Sequence, residues 1–511
     1  MAKKPQTVAP KSSKKIVRKP VAKKQFKPRA DLSPQQNDVA RFMLESTDNI
    51  SIQARAGSGK SSLLRAIMPK NSVILCFGRE PAKDMQAKFE QGSASTFHKY
   101  GLDILNADRF TKVFEGRTGY IIKQVIFDGN IGKEYGQYFD FIKAVDFVKS
   151  MGVLPDSPDQ QYIEALDDVR LDIDDKHRPM IKDRMKEVLA ECALPAVGKK
   201  TGNKYWSIDI ADMQWLPLVH KLGKNSIQDL AVDEAQDLNP IRMALIELWS
   251  AGRVTLVGDT AQAIFAFQGS MPDSLLEMTR RLSAKEFPLS VCWRCPRSHI
   301  ELAKEIIPDI EASPKAIEGE INYGSEVNIS ESGTMILCRN NAPLIQQFYR
   351  LRPQHPNVFL LSRNFIPTLQ NLVGAKWTEG HKLDRFWRTK FDIKREKMIA
   401  FAKTEVQRSV INDNFDSIEL ILSNNKPDTV GEAHLLIAED FKVPERLPKN
   451  AVVMSSGHSA KGLEHDHVIY YGPELVPSPQ ATLDWEREQE RNLDYVLKTR
   501  SKRRLDFVNI Q

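Results

Sequence analysis

The stretch Ala54-Arg55-Ala56-Gly57-Ser58-Gly59-Lys60-Ser61 constrains this chain most. Just before it, Ile50-Ser51-Ile52 reads as a short β-strand; just after it, Ser62-Leu63-Leu64-Arg65-Ala66-Ile67 reads as the first turns of a helix. A strand, a Gly-rich turn and a helix N-terminus make a phosphate cradle. The glycines let backbone N–H groups turn inward, and the helix dipole favours an anion. In such a cradle Ala56, Gly57, Ser58, Gly59 and Ser62 line the phosphates. Lys60 supplies a charge toward the β- and γ-phosphates of a nucleotide, and the Ser61 hydroxyl is offered to Mg²⁺. The strict pattern has glycine where this chain has Ala54. Taken alone, the stretch also fits a chance Gly-Lys-Ser turn, so the rest of the chain decides.

A length of 511 residues predicts two to four domains. With 41% hydrophobic and 27% charged residues the composition is that of an ordinary globular protein. No apolar run approaches the ~18 residues of a membrane span, and the N-terminus lacks the apolar segment of a secretory signal. The expectation is an intracellular protein without a membrane partner: cytoplasmic and nucleoid-associated in a bacterium or phage-infected cell, nuclear in a eukaryote. Five cysteines at this length argue against a disulfide framework. Cys292-Trp293-Arg294-Cys295 is a C-x-x-C without a second ligand pair nearby, and its spacing reads as accidental.

The net charge of +7 hides an asymmetry: residues 1–30 carry eleven Lys/Arg and no Asp or Glu, which leaves −4 for the rest. This tail lacks helix or strand periodicity and is expected to be disordered. It suits a solubilising tail, and equally a nucleic-acid-binding arm or a nuclear address, since clustered lysines attract phosphate without sequence preference. Order begins at Leu32-Ser33-Pro34, where Ser33 is a natural N-cap and Pro34 suits the first helical position. Val73-Ile74-Leu75-Cys76-Phe77 reads as a buried parallel strand, followed by a helix to Phe89 and a helix entered through Thr96-Phe97-His98. Alternating strands and helices predict an α/β fold with a doubly wound parallel sheet.

Residues 106–222 read instead as amphipathic helices inserted into the first α/β domain. Within them, Lys199-Lys200-Thr201-Gly202-Asn203-Lys204-Tyr205-Trp206 sets basic residues beside aromatics. That pattern suits either a solvated loop entering a core strand or a contact to single-stranded nucleic acid. The sheet resumes at Leu230-Ala231-Val232-Asp233-Glu234. There Asp233 is placed to hold Mg²⁺ and Glu234 to align or deprotonate the attacking water. A further strand, Val254 to Asp259, ends close by and continues into Gln262.

At this point the chain resembles superfamily 1 helicases of the UvrD/Rep/PcrA kind, over most of residues 31–511. Gln36 stands where that family reads adenine. Ala54–Ser61 is similar to its A-G-A-G-S-G-K-T loop, Thr96-Phe97-His98 to its T-F-H contact, and Asp233-Glu234-Ala235-Gln236-Asp237 matches D-E-x-Q-D. Val257–Gly269 resembles V-G-D-x-x-Q-x-I-Y-x-F-R-G, with Gln268 in place of arginine. Leu289–Pro296 resembles L-x-x-N-Y-R-S/C-P, Gly457–Glu464 resembles H-x-A-K-G-L-E, and Glu490–Arg500 resembles E-R-R-L-x-Y-V-A-x-T-R.

The resemblance implies two RecA-like parallel-sheet motor domains: the first over 31–105 and 223–285, the second over 286–380 and 446–511. Helical insertions occupy 106–222 and, much shorter than in the family, 381–445. It implies a catalytic set of Lys60, Asp233, Glu234, Gln262 and the arginine fingers Arg294 and Arg500. ATP contacts fall to Gln36, Glu464 and Tyr495, the last stacking on adenine. Mg²⁺ falls to Ser61 and Asp233, and DNA to Thr96, Phe97, His98, Phe265, Phe267 and His458. The implied function is an ATP-dependent translocase on single-stranded DNA that unwinds duplex with 3′→5′ polarity in repair, replication or recombination. Its partners are single-stranded and forked DNA and single-strand-binding, recombinase or replication proteins. The same motor also suits stripping proteins from DNA without processive unwinding. In the 381–445 insertion, Phe386, Trp387 and Phe391 are expected to face a core while the neighbouring Arg and Lys residues are solvated, a duplex or partner contact being the alternative.

Overall fold

A computed structural model describes residues 26–168, 171, 173–197, 204–264, 273–329, 333–362, 365–374, 379–402 and 405–510. The basic tail to residue 25, the 199–203 part of the Lys-rich stretch, and Phe265, Phe267 and Gln268 lie outside them.

The first helix, Pro34–Glu45, starts as its sequence dictates. Ser33 accepts from the Gln36 N–H, the Gln36 side chain accepts from the Ser33 N–H, and Pro34 opens the helix. A cap of this kind is worth about 1 kcal/mol. The chain then builds a six-stranded parallel sheet in the order Ser93–Thr96, Val73–Cys76, Ile227–Val232, Ser250–Gly258, Ile50–Ala54, Lys285–Leu289. Because every pair is parallel, the phosphate loop after Ala54, Asp233 after Val232 and Asp259 after Gly258 all emerge at one edge. That is how motifs 170 to 200 residues apart come to share a site.

Both faces of this sheet are covered. One carries Ile50, Ile52, Leu63, Leu64 and Ile74 with Val39 and Met43 of the first helix. The other carries Leu230, Val232, Val254 and Leu256, and runs without a break into the helices of residues 106–222. Those helices (Arg117–Phe127, Tyr135–Ser150, Asp159–Asp167, Arg178–Ala193 and Asp212–Val219) surround a buried polar cluster. Lys149 Nζ donates to Asp212 Oδ1 (2.7 Å) and Thr118 Oγ1 (3.1 Å), while Arg117 donates to Asp212 Oδ2 (2.8 Å). A three-stranded sheet of Thr111–Val113, Lys204–Ile208 and Ala196–Val197 is added to the helices. Trp206 lies in it, buried, its indole N–H donating to Asp108. The described end of the basic-aromatic stretch is thus a core strand.

A second six-stranded parallel sheet follows, ordered Glu320–Gly324, Ser501–Val508, His465–Tyr471, Thr334–Cys338, Val452–Ser456, Val358–Leu361. The helices Arg385–Phe401, Glu405–Asn425 and Val430–Asp440 occupy the place of the short second insertion. Their Trp387, Phe391, Phe415, Ile418 and Ile437 share one core with Ile336, Phe348, Met454 and Ile469. Asp413 caps the Asn341–Leu351 helix, accepting from the N–H groups of Asn341 and Ala342, both at 2.8 Å. In packing terms these three helices are a layer of the second α/β unit. Phe386 is the exception among the expected core aromatics, at 55% exposed. No helix among the described residues is long and apolar enough to cross a membrane.

Candidate nucleotide site between two parallel sheets

The phosphate loop takes the shape its glycines permit. Gly57 (φ +66°) and Gly59 (φ +84°) are left-handed, and Gly59 immediately precedes the Lys60–Ile67 helix. At Gly57 space is closed as well: a Cβ there meets Cys292 Sγ and Arg294 Cβ, each at 2.7 Å. The loop is therefore pressed against the segment that carries Arg294, and the Trp293 N–H donates to the Gly57 carbonyl (2.9 Å). The Ser58 hydroxyl is buried in the loop without a hydrogen-bond partner in the structure, an orphan that a phosphate oxygen satisfies. Ser62 is exposed, and its hydroxyl accepts from Arg65.

Opposite the loop stand the acids. Lys60 Nζ lies 3.1 Å from Glu234 Oε1, and Ser61 Oγ donates to Asp233 Oδ2 at 3.2 Å. Burial, then the neighbouring Glu234 charge, pushes the Asp233 carboxyl up to about 6. Burial acts the same way on Glu234, but Lys60 and Lys461 outweigh it and hold that carboxylate well below its usual range. Glu234 also sits at φ +55°, a left-handed conformation that costs a non-glycine residue about 1–3 kcal/mol and clusters at functional sites. Ser61 and Asp233 present two hard oxygens at one point. Mg²⁺ takes few protein ligands beside phosphate and water, so the pair fits that ion.

Gln262 connects Asp259, at the end of the neighbouring strand, to Arg500. Its amide donates to Asp259 Oδ2 (2.7 Å), and its side-chain oxygen lies 3.4 Å from Arg500 NH2. Arg500 is 1% exposed, and its Nε donates to the Val496 carbonyl (2.8 Å). Burial and the charge of nearby Arg294 lower its pKa to about 10, so it remains a cation at neutral pH. Arg294 pairs with Glu464, which in turn holds Lys502 at 2.8 Å. Arg294 and Arg500 thus lie close together, both in contact with Thr499.

Other expected contact residues are engaged within the protein itself. Tyr495 offers no ring face to a base: it is fully buried, its hydroxyl accepting from the Ala56 N–H (2.9 Å) and donating to Asp259 (3.3 Å). Gln36 is spent on its own cap and on the Ser58 carbonyl (3.1 Å), so it braces the loop. Phe97, 1% exposed, packs in the core beside Phe77 and Trp249. The Thr96 hydroxyl caps its helix by accepting from the Lys99 N–H. His98 and His458 are each pushed down to about 4, first by burial and then by nearby arginines, so neither is a cation at neutral pH. Glu464 is committed to Arg294 and Lys502.

Four contributions escaped the sequence. Lys461, from the second sheet's side, reaches Asp237 Oδ2 (2.5 Å), the Gln262 carbonyl (2.8 Å) and Glu234 (3.7 Å). Arg55, a departure from the family pattern, joins Asp259 (3.0 Å) to Asp309 (2.7 Å). Gln35 exchanges hydrogen bonds with Ser290. Trp293 leaves an indole 46% exposed beside the loop. Lys461 and Trp293 lie inside recognised motifs, which was the available signal.

Two parallel-sheet units, one bearing a phosphate loop with paired acids and the other facing it with two arginines, define a two-domain P-loop nucleotide-binding protein. A family model described as the UvrD/REP helicase N-terminal domain matches residues 210–283. That match and the relatives below make the chain similar to helicases of the UvrD/Rep/PcrA type. An ATP-dependent DNA helicase PcrA from Staphylococcus epidermidis is 24% identical over 319 residues, 55% of this chain and 41% of that protein. A probable DNA helicase II homolog from Mycoplasma pneumoniae is 24% identical over 318 residues, 55% and 43% of the two chains. The ATP-dependent DNA helicase Rep of Escherichia coli is 30% identical over 115 residues, 22% of this chain and 17% of that one. The matched region thus spans less than half the length of these curated relatives. Among solved structures, an arterivirus nonstructural protein 10 helicase with DNA covers 90% of this chain and 60% of its own at 11% identity. Its TM-score of 0.32 is too low to bear on fold or function.

Proposed function

We propose that this chain is an ATP-dependent motor that moves along single-stranded DNA and unwinds duplex, with the 3′→5′ polarity of the family it resembles. The observation that carries the proposal is the composition of the pocket wall. Lys60, Ser61, Asp233 and Glu234 come from the first sheet, Arg294 and Arg500 from beyond it, and Gln262 bonds to Asp259 on one side and Arg500 on the other.

In this reading Lys60 and the loop N–H groups bind the triphosphate, and Glu234, ionised by its two lysines, orients the attacking water and accepts its proton. Ser61 and Asp233 would hold Mg²⁺, which would supply charge neutralisation at the phosphates. The arginines take up charge that develops on the γ-phosphate; a finger of this kind is worth ~10³–10⁵ in turnover. The exposed indole of Trp293, rather than Tyr495, supplies the face on which a purine stacks. Cleavage removes the anion that the fingers share with Lys60. Gln262, bonded to Asp259 on one side and Arg500 on the other, passes that change between the sheets, and relative movement of two DNA grips follows.

The test is DNA-stimulated ATP hydrolysis by the wild type and by Glu234→Gln, with unwinding of duplexes bearing a 3′ or a 5′ overhang. Hydrolysis should fall by ~10³-fold or more in the variant, and only the 3′-tailed duplex should open. Equal hydrolysis by the two proteins overturns the mechanism. Displacement of a recombinase filament without unwinding of either duplex identifies a protein-stripping motor instead.

A further inference from the structure

The geometry points to Cys292 and Cys295 as a redox-modifiable dithiol whose disulfide pulls Arg294 out of the nucleotide pocket. The inference rests on the ATPase reading for its effect, though not for its chemistry. Cys292 ends a short strand, Val291–Cys292, and Cys295 stands just before the Arg297–Lys304 helix. The turn between them folds back so that the Cys295 N–H reaches the Cys292 sulfur at 3.4 Å. Residues i and i+3 of such a turn lie within the Cα separation a disulfide accepts.

The surroundings distinguish this pair from Cys76, Cys192 and Cys338, which are also buried. The neighbouring Cys295 side chain, the N–H groups of Cys295 and Arg294 and the Arg294 charge all favour the Cys292 thiolate. Against its burial they lower the Cys292 pKa to about 6, while the same contact raises that of Cys295. One sulfur is thus the better nucleophile and the other retains its proton. Burial instead pushes Cys76 and Cys338 up to about 12 and Cys192 to about 11.

The chemistry balances with a peroxide as oxidant. The Cys292 thiolate attacks one peroxide oxygen, the O–O bond breaks, and a sulfenic acid and water result. The Cys295 sulfur then displaces that hydroxyl, giving the disulfide and a second water, its thiol proton leaving with the hydroxide. Two thiols lose two electrons, and one peroxide is reduced.

The pair lies where such a bond matters. The Cys292 sulfur fills the space a Cβ at Gly57 of the phosphate loop would take, 2.7 Å from that position. The Cys295 thiol lies 3.3 Å from the Thr499 carbonyl, next to Arg500, and the Arg294 guanidinium contacts that same carbonyl at 3.4 Å. Drawing the sulfurs to bonding distance removes the Thr499 contact and tightens the turn that carries Arg294. Displacing a catalytic group by an ångström costs on the order of 10²-fold in turnover.

The experiment treats the full chain with hydrogen peroxide and follows intact and peptide mass beside DNA-stimulated ATP hydrolysis. Expected are a loss of two hydrogens confined to the Cys292–Cys295 peptide, a ~10²-fold fall in hydrolysis and recovery of both with dithiothreitol. Cys292→Ser and Cys295→Ser should hydrolyse ATP at the wild-type rate and resist peroxide, and Cys295→Ser should accumulate a dimedone-reactive sulfenic acid at Cys292. The inference is overturned if no disulfide forms while the thiols still react after unfolding. It is equally overturned if the disulfide forms without change in hydrolysis, or if both serine variants lose activity as the wild type does. Should the reduced wild type hydrolyse nothing, the motor reading fails separately. The mass measurement then still decides the chemistry, and nucleotide affinity of the two redox forms decides the displacement.

Discussion

At the scale of single residues, the pocket is a set of charges whose states burial has sorted. Asp233 and Glu234 are adjacent acids, yet one is pushed up to about 6 and the other is held down by Lys60 and Lys461. Raising the Asp233 pKa means its carboxylate is complete well above pH 6 and lost as pH falls through that value, so a metal that needs the carboxylate binds progressively worse. Affinity for Mg²⁺·ADP should be about tenfold weaker at pH 5 than at pH 7.5, beyond the nucleotide's own titration. Calorimetry across that range checks it, with Asp233→Asn expected to abolish the extra dependence. The two candidate rings separate equally well. Trp293→Ala should weaken ATP by about 1–3 kcal/mol, the usual worth of a base on an aromatic face. Tyr495→Phe should leave a stacking contribution untouched and instead cost about 1–3 kcal/mol of unfolding free energy, since the Ala56 N–H loses its acceptor. Nucleotide titration and chemical denaturation of both variants distinguish a stacking ring from an interface brace.

At the scale of elements, what a short stretch does by itself was legible in the sequence, and what it does through distant partners was not. The strand–loop–helix around Lys60, the Ser33 cap and the acids after Val232 are specified by neighbours in the chain, and each forms as its residues dictate. The pairing of Thr111–Val113 with residues more than ninety positions later depends on tertiary folding, and no local periodicity announces it. Tyr495 lies in a recognised motif, but its ring is buried by the phosphate loop of the other sheet, 439 residues away. The helices of 381–445 read as a separate insertion because their polar faces dominate the sequence. Only contact with Phe348 and Ile336 reveals their apolar stripe as part of the second core. The charged cluster at Lys149 is a further case, since lysine is ordinarily solvent-exposed. Here it sits 2.7 Å from Asp212, which Arg117 also holds. Lys149→Met should therefore destabilise the protein by about 3–5 kcal/mol, the usual penalty for leaving a buried charge partner uncompensated. Urea unfolding, followed by a probe in the 106–222 helices, tests it.

At the scale of the whole molecule, polar contacts around the nucleotide site link the two sheets beside apolar packing, and Lys461 makes several of them. Its ammonium group lies within 4 Å of Glu234 and within hydrogen-bond reach of Asp237 and the Gln262 carbonyl. It therefore spans the gap between the second sheet and three functional groups of the first. Lys461 also belongs to the loop that follows Val452–Ser456, so movement of the second sheet is felt directly at Glu234, the acid that orients water in the proposed mechanism. Removing the charge has two separable consequences. Glu234 loses one of the two lysines that keep it ionised, and the sheets lose a link that holds them closed when no DNA is bound. Lys461→Met should consequently raise hydrolysis in the absence of DNA relative to hydrolysis in its presence, shrinking the stimulation ratio. Lys60→Ala, by contrast, should abolish both rates while leaving DNA binding in place. Steady-state hydrolysis with and without a single strand, measured for the two variants side by side, tests the distinction. If Lys461→Met lowers both rates by the same factor, the residue serves Glu234 alone and the coupling of the two sheets lies elsewhere, with Gln262 and Arg500 the contacts left to carry it.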